Sequence, residues 1–149
     1  MTFTQLSTAR PSVARVRLGR MPQRPDVPEE MVRRLAAVMA ELPQCEIEDA
    51  WVGVRWRVGQ STVAHVFGGE DQLLRITFRA EPEEVMAFQH LGEPYFRAEW
   101  GRDVVGMLLG DDTDWEELAE LLTDSFCIQA PDHLVRLVAR PAHPRSEHH

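Results

Sequence analysis

Lysine is absent from this chain: all sixteen basic side chains are arginines. Cysteine is scarce. Cys45 and Cys127 are too few for a disulfide framework, and neither sits in a C-x-x-C or H-x-x-x-H spacing, so a structural metal site is not expected. With no secretory signal ahead of them, a reducing cytoplasm is the expected location. No apolar run reaches the roughly 18–20 residues of a membrane-spanning helix. Nucleophilic catalysis lacks a signature too. There is no G-x-S-x-G elbow, and Gly68-Gly69 runs into Glu70, which makes a poor phosphate cradle. Ser125, Cys127 and His133 are close in sequence, but packing accounts for the helix that carries the first two. The acid run from Asp111 fails the calcium-loop template, which needs glycine sixth and glutamate twelfth; those places hold Glu116 and Leu122. The expectation is a protein that is not an enzyme and holds no cofactor or metal.

What remains is 149 residues, 44% hydrophobic and 27% charged, the composition of one folded domain. Charge divides the chain. Residues 1–27 hold five arginines against Asp26, a net +4. Residues 28–149 hold eleven arginines against twenty-three acids, a net −12. An acidic body repels polyanions at long range. Residues 1–27 show no periodicity and read as a flexible arm. Two alternatives stay open for it: a translation start placed too early, with Met21 or Met31 as the true one, or a targeting or DNA-binding arm. Residues 28–140 read as the domain and 141–149 as a loose polar tail, in which His143, His148 and His149 cluster.

Within the domain, Pro28 fits the first position of a helix. Glu29 and Glu30 suit its positive end, and Pro43 stops it. From residue 45 the hydrophobic period falls from 3.6 to 2. Four antiparallel strands are predicted over 45–51, 54–58, 61–67 and 72–79, joined at Val52-Gly53, Gly59-Gln60 and Gly68–Asp71. Strict alternation puts Ile47, Trp51, Val54, Trp56, Val58, Val63, His65, Phe67, Leu74, Ile76 and Phe78 on one face. Glu46, Glu48, Arg55, Arg57, Thr62, Ala64, Val66, Leu73, Arg75, Thr77 and Arg79 take the other. A second helix is predicted from Pro82 to Leu91, closed by Gly92. A further hairpin follows over 94–109, then a helix capped by Asp114 with Glu117 at the capping-box spacing, and a short last helix over 132–140. This is an α+β chain in the order α-β4-α-β2-α-α, an antiparallel sheet with helices packed on one face.

Two features of the sheet invite function. His65 on an apolar face reads as a core histidine with a hydrogen-bond partner rather than a ligand. Arg55, Arg57, Arg75 and Arg79 share the polar face and form a patch whose guanidinium forks match phosphate geometry. The plainer reading is ion pairing across strands, with Glu48 opposite Arg57 and Glu46 nearby.

Several pieces then fall in order: Trp51, Arg57-Val58-Gly59, Leu74-Arg75 leading into Glu81-Pro82-Glu83-Glu84, Pro94-Tyr95-Phe96, Asp114-Trp115-Glu116-Glu117-Leu118, and Ser125-Phe126 before Ala130-Pro131. Over about residues 28–138 this series resembles the MmcQ/YjbR-like family. The resemblance implies a secretion-chaperone-like or double-wing α+β fold and a DNA-binding role without an assigned reaction. Relatives often carry a basic residue after the Gly59 turn, where this chain has Gln60-Ser61, and a tryptophan opening the late strand, where it has Asp103-Val104. The functional expectation is DNA-backbone contact by Arg55, Arg57, Arg75 and Arg79, aided by Arg97, Arg102 and the arm. The alternative is an acidic protein-interaction module or homodimer, with Val66 and Leu73 as apolar contacts on the polar sheet face. A small-ligand pocket near His65, Tyr95 and Trp100 is the third.

Overall fold

Turn residues between short runs of alternating polarity break residues 45–109 into strands. The helices on either side bury their apolar stripes against the resulting sheet. The computed structural model describes residues 26–98 and 101–138; the arm through residue 25 and the tail from 141 lie outside them. The elements are α1 (Glu29–Met39), β1 (Cys45–Asp49), β2 (Val54–Val58), β3 (Ser61–Gly68), β4 (Leu74–Arg79), α2 (Pro82–Leu91), β5 (Tyr95–Arg97), β6 (Val104–Leu109), α3 (Trp115–Gln129) and α4 (Asp132–Val135). All six strands form one antiparallel sheet in the order β1-β2-β3-β4-β6-β5. The late hairpin thus joins through β6 and leaves β5 at the edge. The last helix is one turn, shorter than its sequence suggests.

The core lies between the sheet and the helices. Leu35 and Met39 of α1 and Leu118, Leu122 and Phe126 of α3 meet Trp56, Ile76, Phe78, Val105 and Met107, all almost fully buried. Phe88 of α2 stands edge-on to Phe78, with ring centroids 6.4 Å apart, and tilts against Tyr95 of β5 at 4.6 Å. These aromatic contacts bring α2 onto the same side of the sheet as α1 and α3.

One device departs from strict alternation. Pairing between β2 and β3 steps from Trp56↔Ala64 to Arg57↔Thr62, so Val63 is an extra residue, a β-bulge. Beyond it every side chain of β3 changes face. Ala64 and Val66 pair with Phe78 and Ile76 and are fully buried in the core, while His65 and Phe67 pair with Thr77 and Arg75 on the arginine side. This corrects the expected placing of His65 and Phe67 with the core and of Val66 as an exposed contact. The bulge is held from α3. The Ser125 hydroxyl donates to the Val63 carbonyl at 2.6 Å and accepts from the Arg79 N–H at 2.9 Å. Trp51 and Ile47 also depart from expectation. Strand β1 ends at Asp49, the chain bends through residues 51–53, and Trp51 is fully exposed while Ile47 is about half so.

Candidate functional site

The sheet side away from the helices carries Arg55, Arg57, Arg75 and Arg79, as alternation requires. Each is held by a carboxylate. Glu48, directly opposite Arg55 in the register, pairs with Arg55 and also with Arg57 at 3.1 Å, and Glu46 is the residue opposite Arg57. The expected partnership of Glu48 with Arg57 is therefore present, but from a register two residues along. Arg75 pairs with Asp71 at 2.6 Å, and Arg79 with Asp103 at 2.8 Å. The guanidinium of Arg75, with the Leu73 N–H, holds the Asp71 carboxyl below its usual range. Three carboxylates thus hold the four arginines, with Glu48 shared between Arg55 and Arg57. Arg97 on β5 and Arg102 in the β5–β6 turn are exposed and make no ion pair among the described residues.

On the same side, the His65 ring lies 4.7 Å from that of Phe67, and its Nε2 is 2.7 Å from the Val52 carbonyl. A carbonyl only accepts, so Nε2 carries the proton and fastens the β1–β2 loop to β3. Next to it, Gly53 (φ +70°) runs so close to β3 that a Cβ would collide with the Val66 carbonyl. Burial, with the Arg55 charge adding to it, lowers the pKa of His65 against the opposing pull of its bond to Val52. Toward the other edge, a cleft of about 710 Å³ is lined by Phe67, Asp71, Arg75, Glu93, Phe96, Arg97 and Leu108, with the Arg75 guanidinium 5.9 Å from the Phe96 ring. Its charges are of both signs. The third expected grouping does not assemble: His65 and Tyr95 lie on opposite sides of the sheet, and Trp100 lies outside the described residues.

Half of the excess negative charge of residues 28–149 sits on two helices. Helices α2 and α3 carry Glu83, Glu84, Glu116, Glu117, Glu120 and Asp124, and no arginine. Between them runs a groove of about 330 Å³ with Ala87, Phe88, Leu91 and Leu121 as its apolar surface and Glu84, Glu117, Glu120 and Asp124 around it. Both helices present the same spacing, 84-87-88-91 and 117-120-121-124, one face of a helix in each case. Burial, and then the neighbouring Glu117, keep the Tyr95 phenol protonated well above its usual range. Sequence reading missed this groove. Its available signals were Leu121, an apolar residue beside the α3 stripe of Leu118 and Leu122, and two helices without a cation.

Among the described residues no group of three or more His, Cys, Asp or Glu is placed to hold a metal ion, and no helix is long and apolar enough to cross a membrane. Neither Cys45 nor Cys127 is in a disulfide, and burial with the neighbouring Glu46 pushes Cys45 up to about 11, far from a reactive thiolate. The crystal structure of Deinococcus radiodurans protein DR2400, with its DUF419 domain, is similar to this fold. It has a TM-score of 0.59 at 19% identity, over 79% of this chain and 95% of that one. No curated protein matches the chain. The family model described as YjbR matches residues 40–128, from the end of the first helix to near the end of α3, and so spans the sheet, the cleft and the groove. This small α+β chain belongs to the YjbR family.

Proposed function

We propose that this protein is a non-catalytic interaction module for a basic protein partner. One observation carries the reading: the sheet arginines are ion-paired to carboxylates, whereas α2 and α3 carry five glutamates and an aspartate and no arginine. A surface of one sign steers an oppositely charged partner and excludes others. The test is selection from a random peptide library displayed on phage, read as the net charge of the enriched sequences. Enrichment in arginine and lysine supports the reading. Enrichment without a charge bias overturns it.

A second reading, contact with the DNA backbone, draws on Arg97 and Arg102, the exposed cations on the β5–β6 hairpin. Two cations near a −12 body give weak binding, and a slope of log K on log salt near −2 is the most they support. Titration of a labelled duplex at two salt concentrations tests it. A steep salt dependence that survives Arg97→Ala/Arg102→Ala would remove these residues from the account.

A further inference from the structure

We infer that the cleft beside β5 is a binding site of its own, and that its ligand is a short extended peptide with both termini free. The cleft holds about 710 Å³ and no residue of α2 or α3 lines it. That volume falls among small-molecule sites, which run to roughly 300–1,000 Å³. Two glycines shape it. A Cβ on Gly106 would collide with the Phe96 ring, and one on Gly69 with the Arg75 guanidinium. Phe96 therefore lies against the bare backbone of β6, with Leu108 next on the same face of that strand, and the two supply apolar surface. Arg75 lies against the β3–β4 turn. Its one hydrogen bond among the described residues runs from Nη2 to Asp71 at 2.6 Å, so a largely buried guanidinium keeps further N–H donors for an incoming group.

The remaining charges select the ligand. Arg97 ends β5, Glu93 stands two residues ahead of that strand, and Glu70 is on the β3–β4 turn. All three are exposed and make no ion pair among the described residues. Two free acids and one free base, beside the neutral pair of Arg75 and Asp71, disfavour a phosphate or any polyanion. They suit one charge of each sign, an ammonium at Glu93 and Glu70 and a carboxylate at Arg97. Spacing selects the length. Four residue steps separate Glu93 from Arg97, at most about 13 Å. A free amino acid carries both charges on one carbon and reaches one end only, whereas an extended peptide of about three residues spans about 10 Å and reaches both. A peptide is favoured over other zwitterions because β5 is an edge strand, whose outer backbone groups can pair with an added strand. Its middle residue should be apolar, to meet Phe96 and Leu108.

The test is isothermal titration calorimetry of the full chain with alanyl-phenylalanyl-alanine. The comparison ligands are the same tripeptide acetylated at its N-terminus, the same tripeptide amidated at its C-terminus, and phenylalanine alone. The free-ended tripeptide should bind, and each of the other three should bind at least fivefold more weakly. Arg97→Ala should weaken the free-ended tripeptide at least fivefold and change the amidated form less than twofold. Glu93→Gln should weaken the free-ended tripeptide likewise and change the acetylated form less than twofold. Arg102→Ala removes a like charge from the same hairpin, outside the cleft, and should weaken binding less than twofold. No binding of the free-ended tripeptide overturns the site. Equal binding of free and capped tripeptides overturns the reading of the termini, and phenylalanine binding as tightly as the tripeptide overturns the peptide. A loss in Arg102→Ala equal to that in Arg97→Ala reduces the effect to general charge and overturns the cleft. None of these failures touches the reading of a basic partner, which the phage selection decides.

Discussion

A single hydroxyl joins three elements in this fold. Ser125 is fully buried, and its Oγ serves a carbonyl at the bulge and an N–H on β4. Ser125→Ala leaves both backbone groups without that partner in a dry place. Such a loss costs about 1–3 kcal/mol, to be read as a lowered urea midpoint with an unchanged slope. His65 makes a different kind of contribution. Its pKa is lowered in the folded chain, so the unfolded chain takes up a proton that the native ring refuses. Its contribution is full above the unfolded value of about 6.5 and is lost as the pH falls from there toward the folded value. The urea midpoint of the wild type should therefore drop between pH 7.5 and 5.5. His65→Gln should drop less; an identical drop would mean that His65 is not the titrating group.

At the scale of elements, helix ends and strand ends follow from local chemistry. Asp114 takes the Glu117 N–H at 3.1 Å, as its spacing indicates, and Asp114→Ala should cost about 1 kcal/mol of stability by chemical denaturation. Pro82 to Leu91 is helical over its predicted span and Gly92 closes it, because proline, acids and glycine act within a turn of their own positions. The reciprocal bonding of Glu81 and Glu84 that starts α2 is not legible in the sequence, since the first glutamate stands where serine or threonine is usual. The bulge at Val63 was not legible for a deeper reason. The run Val63-Ala64-His65-Val66-Phe67 is apolar on both parities apart from His65, so alternation cannot say where a residue is added. The deciding contact, Ser125, is 62 positions away. Trp51 misled in the opposite way: a large aromatic suggests a core position, yet it stands in the bend beyond β1. The arginine face was legible because four arginines alternate with buried residues on two strands. Their neutralisation was legible only in kind, since Glu48 and Glu46 lie on β1 but Asp103 comes from the far hairpin. The groove could not be read at all from either helix alone, because α2 and α3 are separated in sequence by β5 and β6 and meet only through the fold.

For the whole molecule, a net charge of −8, with six acids and no arginine on α2 and α3, sets the terms of stability as well as recognition. Along α3, Glu120 lies four residues after Glu116 and four before Asp124, two like-charge pairs on one helix surface. Such pairs destabilise by a few tenths of a kcal/mol each, and reversing the middle charge turns both into attractions. Glu120→Arg is thus expected to stabilise the protein by about 1 kcal/mol at low ionic strength. The gain should shrink as salt approaches 1 M, where screening reaches about 3 Å. Thermal unfolding of wild type and variant at 20 mM and 1 M sodium chloride reads both statements. A site kept for binding is often held at some cost to folding. A variant that is more stable yet enriches fewer basic peptides in the phage selection is the behaviour that separates an acidic recognition surface from an ordinary solvated face. If Glu120→Arg were less stable at low salt, its carboxylate would be a structural partner, and α3 would lose its claim to hold charge for a basic partner.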